Sequence, residues 1–225
     1  MKKNLLVFVI AIFGCVFANG QEKEMKDVNL DDLIEETQFS NESTDDLEMV
    51  WWMPVEYWEV VFAKEQAMDD SEMEMITKML EDYILVIVVK GKFGLFGGIT
   101  YESRDDILNS LKLYYNGSAL KHVAEEKLSP DLKNFMMMIG PMMKNMLGQM
   151  GENMQFFAYE NKGKDRVNVR KKGTLSFELG DYTAQSDLPL GSLIQEKQCP
   201  VSKKLYNGKW FYCPIHGKEL VAQEN

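Results

Sequence analysis

The residues best suited to chemistry stand near the end of the chain. There Cys199-Pro200-Val201-Ser202 and Cys213-Pro214-Ile215-His216-Gly217 flank a hairpin turned at Asn207-Gly208. Thiolate sulfur and imidazole nitrogen are ligands that zinc favours, and Cys199, Cys213 and His216 supply three of the four that a structural zinc site takes. A disulfide between Cys199 and Cys213 accounts for the same pair of cysteines, and closing a loop of that size is worth about 3 kcal/mol on chain-entropy grounds. Both readings predict one local shape, a clamped hairpin. An open fourth position is also what a catalytic zinc keeps, but such a centre needs a nearby base, for which the tail offers Glu219 as candidate.

The two turns resemble the knuckles of zinc ribbons, in which backbone amides point at the first sulfur and glycine permits a tight return. The second knuckle matches that pattern with His216 as its second ligand. The first departs from it at Ser202, which stands where a ligand is expected. What the resemblance implies is a zinc cofactor on Cys199, Cys213 and His216. Upstream, Leu188-Pro189-Leu190-Gly191-Ser192-Leu193 leads into this tail. With that lead-in, the chain is similar to a group of exported bacterial proteins of no assigned function, which implies that the tail is an integral part of the domain.

A second chemical feature is a run of thioethers. Met138, Met142, Met146, Met150 and Met154 recur every four residues, with Met136, Met137 and Met143 alongside and Gly140, Pro141, Gly148 and Gly151 interspersed. Thioethers are soft donors that select Cu(I). Unbranched methionines also repack readily against varied partners. The plainer expectation is core packing, since helical spacing puts such a stripe on one side and the segment lacks histidine.

Material for acid-base catalysis is sparse. His122 and His216 are the two histidines, and there is no Gly-x-Ser-x-Gly elbow, His-Glu-x-x-His helix or Walker loop. Glu56 stands beside Trp51, Trp52, Tyr57 and Trp58, and aromatic walls raise a carboxyl pKa and line sugar sites. A hydrolase using Glu56 is therefore carried as an alternative, against the ordinary reading of Glu56 as a surface residue on a half-buried helix. The sequence favours a non-catalytic binding or structural protein whose protein or small-molecule partner it does not specify, with handling of zinc or Cu(I) as the next alternative.

The elements that must hold these residues follow from pattern. Lys2 and Lys3 precede an apolar run from Leu5 to Phe13, and small Ala18 and Gly20 precede Gln21, as in a secretory signal peptide over residues 1–20. Export to the periplasm or the extracellular space is expected, with a lipid anchor on Cys15 as the rival. Removing a leader that holds two lysines and no acid takes the formal charge from -10 to -12, which opposes nucleic acid and anionic lipid as partners. No later apolar run reaches the length of a membrane span.

Residues 21–48 carry many acids and read as a flexible leader. An α+β domain is expected over 49–196 and a ribbon-like hairpin over 197–222. Pro54 and Asp69 open the first two helices. Tyr83 to Val89 is a continuous branched run, predicted to be a central strand that turns at Lys90-Gly91-Lys92 to pair with Phe93 to Tyr101. Ser103 opens a short helix, and Leu111 to Tyr115 forms a hairpin with Ala119 to Val123 through Asn116-Gly117. Ser129-Pro130 opens the longest helix, to about Leu147. Strands are expected at Gln155 to Tyr159, Val167 to Arg170 and Thr174 to Leu179. Hairpins separated by helices, without strict alternation, predict a mostly antiparallel sheet with helices on one face.

Overall fold

A computed structural model describes residues 22–41, 43–65, 69–163 and 166–223. The segment 1–20 read as a signal peptide, with Cys15, lies outside the described residues. Among the described residues six α-helices form: α1 (Leu30–Thr37), α2 (Val55–Glu65), α3 (Asp70–Leu80), α4 (Arg104–Ser110), α5 (Pro130–Leu147) and α6 (Gln149–Glu152). Their starts follow local chemistry. The Asp69 carboxylate accepts the amides of Ser71 and Glu72, the Ser103 hydroxyl accepts that of Asp106, and the Ser129 hydroxyl accepts that of Leu132. Asp69 and Glu72 complete a reciprocal capping box.

The strands are β1 (Gln38–Ser40), β2 (Asp46–Met53), β3 (Tyr83–Phe93), β4 (Ile99–Tyr101), β5 (Leu111–Tyr115), β6 (Ser118–Ala119), β7 (His122–Val123), β8 (Gln155–Glu160), β9 (Gly173–Leu179), β10 (Tyr182–Leu188), β11 (Lys197–Gln198), β12 (Leu205–Tyr206) and β13 (Val221–Ala222). They make three antiparallel sheets, ordered β1-β2-β3-β8-β7 with β4 on β3, then β10-β9-β5-β6, then β12-β11-β13. The fold class is α+β, as the sequence predicts. β3 is central, and Ile84 through Val89 are all buried. Because successive side chains of a strand point to opposite faces, this run is covered on both.

Three local expectations are corrected. β3 runs through Lys90-Gly91-Lys92, and the turn lies at Gly94 to Gly98, where Gly97 takes φ +85°. Gly91 is instead a point of close approach, since a Cβ there would stand 2.7 Å from the Thr100 carbonyl oxygen. Val167 to Arg170 is irregular, with Val167 and Val169 buried and the Val169 carbonyl accepting the Leu190 amide. The Asn116-Gly117 turn joins β5 to β6 alone, and β7 crosses to pair with β8.

The acidic segment read as a flexible leader is folded through its described residues. Val28 and Leu33 are fully buried, and β1 pairs with β2. The Glu36 carboxylate accepts the amides of Gly191 and Ser192, both at 2.8 Å, and so ties α1 to the lead-in of the tail. A few buried apolar side chains outweigh the surrounding acids because most of those acids are exposed, while Glu36 is satisfied by amides and Glu48 by Lys90.

One large core spans α1, the first two sheets and the helices packed on them. The third sheet has its own small core of Cys199, Tyr206, Cys213 and Leu220. No helix among the described residues is long and apolar enough to cross a membrane.

Candidate metal centre

The tail builds its site from two copies of one turn. In the first knuckle the Cys199 amide donates to the Lys204 carbonyl at 2.9 Å and the Lys203 amide donates to the Cys199 carbonyl at 2.9 Å. In the second the Cys213 amide donates to Lys218 at 2.7 Å and the Gly217 amide to Cys213 at 2.8 Å. Lys203 and Gly217 take the same left-handed conformation, φ 61° and 59°. Glycine reaches that conformation freely, whereas the lysine is held in it by the knuckle's hydrogen bonds. β11 runs into the first knuckle and β12 leaves it. The Tyr212–Glu219 bridge closes the second.

These turns bring together the three residues singled out from the sequence. Cys199, Cys213 and His216 place one ligand atom each within 4.8 Å of one another. The His216 Nδ1 lies 3.5 Å from the Cys199 Sγ and 3.5 Å from the Cys213 Sγ. The cysteines are not bonded to each other. Sulfur at about 2.3 Å and nitrogen at about 2.0–2.1 Å from one zinc ion, at the tetrahedral angle, stand about 3.5–3.6 Å apart. Both sulfur–nitrogen distances fit that edge.

Electrostatics favour thiolate. Burial pushes the Cys199 thiol up, but hydrogen bonds from the Ser202 hydroxyl, the Ser202 and Val201 amides and the Cys213 thiol outweigh it and bring it down to about 6. Burial also raises Cys213, and the amides of His216 and Ile215, the His216 ring and the Tyr206 hydroxyl overcome it. His216 is raised by hydrogen bonds to Cys213 and then Cys199. The sulfurs are shut from water, at 0% and 1% residue exposure, while His216 is exposed.

Two further oxygens influence the cysteines. Ser202 occupies in the first knuckle the place His216 holds in the second, and its hydroxyl helps to lower the Cys199 thiol and accepts the Lys204 amide at 3.4 Å. Tyr206 is the residue that sequence reasoning missed. Its hydroxyl is buried without a partner in hydrogen-bonding geometry, yet it lies near enough to lower the Cys213 thiol and to be raised by it. The signal was its place in β12, where the strand pairing sets Tyr206 opposite Lys197 beside the first knuckle. The ring stacks on Trp210 at 5.9 Å, which fixes its direction. Glu219, the candidate base, is exposed on the strand bridge.

Glu56 falls elsewhere. Its carboxylate pairs with the Arg170 guanidinium at 2.7 Å, and Arg170 also holds Glu22 at 2.9 Å. Burial raises the Glu56 pKa against its backbone amide and Arg170. The pair lines a cavity of about 280 Å³ with Trp52 and Glu59. Trp51, Tyr57 and Trp58 instead stack edge to face within the core. Compared with protein-family models, curated proteins and solved structures, the chain matches none.

Proposed function

We propose that this chain is an exported, non-catalytic binding protein whose C-terminal ribbon is closed by one zinc ion held by Cys199, Cys213 and His216. The observation that carries this reading is the pair of 3.5 Å sulfur–nitrogen distances, which are edges of a tetrahedron around zinc. The ribbon's core supports it. That core consists of four side chains, two of which are the ligand cysteines, so metal bonds stand where a larger unit would have apolar packing. The ion's role is structural, since both sulfurs are enclosed.

Export rests on Lys2, Lys3 and the apolar run from Leu5 to Phe13. The acidic balance of the chain favours partners that are neither nucleic acid nor anionic lipid. Metal analysis of protein purified without added metal tests the reading. Near-stoichiometric zinc, lost together in Cys199→Ser and His216→Ala, is the expected result. Metal-free protein with an intact ribbon sinks it.

A further inference from the structure

The thioether run divides: Met143 and Met154 are buried in the core and Met136 and Met150 pack against it, while the others are exposed. Every large apolar residue that α5 leaves exposed is a methionine, namely Met137, Met138, Met142 and Met146, at 43–66% exposure. The buried side is made by Leu132, Phe135, Ile139 and Met143. Met138, Met142 and Met146 stand four residues apart and so share one face of the helix, where such neighbours have Cβ atoms about 5–6 Å apart. Unbranched side chains at that spacing let Met142 share an ion with Met138 or with Met146, whereas Met138 and Met146, about 12 Å apart along the axis, cannot share one.

The segregation is chemical as well as geometric. An outward face that served only as apolar surface would be equally satisfied by the leucine, isoleucine and phenylalanine that join Met143 on the inward face, yet every large apolar side chain exposed on α5 carries sulfur. Hard ligands are missing from the stripe. Asn134, Pro141 and Asn145 flank it, and the one nearby charged pair, Lys144 with Glu152 at 2.6 Å, is mutually satisfied. A cluster of thioethers without carboxylate or imidazole discriminates against hard and borderline ions and favours Cu(I). In an oxidising compartment, thioethers also remain available where free thiols pair into disulfides.

We propose that Met142, paired with Met138 or with Met146, forms a two-sulfur Cu(I)-binding site on the outer face of α5, separate from the ribbon. The test uses the full mature chain carrying Cys199→Ser and Cys213→Ser, which removes the ribbon's soft ligands. α5 packs on the main core and not on the ribbon's, so its helix survives that change. Cu(I) is titrated without oxygen against bicinchoninate, in this background and with Met138, Met142 and Met146 replaced by leucine, which keeps the apolar face and removes the sulfur. Far-UV circular dichroism checks the fold of both. The expected result is stoichiometric Cu(I) in the serine background, lost in the leucine variant. Equal binding by the leucine variant, or no binding in the serine background, overturns the proposal. Neither outcome bears on zinc at Cys199, Cys213 and His216.

Discussion

Ser202→Cys is the perturbation for which the two knuckles make the sharpest prediction. Hydrogen bonds and left-handed residues match between them, so residue 202 is placed towards the ion as His216 is. The native hydroxyl is among the groups that lower the Cys199 thiol. A cysteine there adds a thiolate at the fourth corner without moving the backbone. Structural zinc binds with about 10–16 kcal/mol over four ligands, so one ligand's share is about 2.5–4 kcal/mol, on the order of 10²–10³-fold in affinity. His216→Ala should lose a similar factor. Chelator competition in reductant reads the affinity, and Co(II) substitution reads the ligand set, since thiolate-to-cobalt absorption rises as two thiolates become three. Unchanged affinity with unchanged thiolate absorption would show that residue 202 does not face the ion, and the matched-knuckle reasoning would fail.

Two further outcomes follow from the same geometry and from the Glu56 cavity. Tyr206→Phe removes the buried hydroxyl beside Cys213 and should weaken zinc by about 10–100-fold, as loss of an outer-sphere partner does, with the ribbon still formed; an unchanged chelator titration contradicts this. Glu56 and Glu59 are both raised from 4.5, by burial first, so the folded state holds their protons more tightly than the unfolded chain. Their contribution to stability is complete below pH 4.5 and is lost as pH rises through the raised values. Urea midpoints between pH 4.5 and 7 should therefore fall more steeply for the native chain than for Glu59→Gln. Parallel curves would remove Glu59 from the account.

Much of the fold was legible where the determining chemistry is local. The caps at Asp69, Ser103 and Ser129 each lie within three residues of the amides they satisfy. The unbroken run from Tyr83 to Val89 announces a strand covered on both faces. The candidate site was legible for a similar reason, because Cys213 and His216 belong to one turn and Cys199 repeats its geometry. Long-range contacts were not legible. Glu36 bonds a backbone amide 155 residues away, and Arg170 reaches Glu56 across 114. Spacing alone also left α5 ambiguous, since its sulfur stripe and its Leu132, Phe135, Ile139 and Met143 stripe are both helical and apolar. Which one faces the core is decided by the sheets and helices packed against it. The acidic segment misled because Val28 and Leu33, its fully buried apolar residues, are few among many exposed acids.

The most direct test of the proposed zinc centre is the intact mass of the chain recovered from an exporting host, taken under native and denaturing conditions. A native mass heavier by one zinc ion, lost on denaturation to leave a chain with both cysteines reduced, is the predicted result. A chain lighter by about two protons under both conditions would mean a Cys199–Cys213 disulfide and would contradict it.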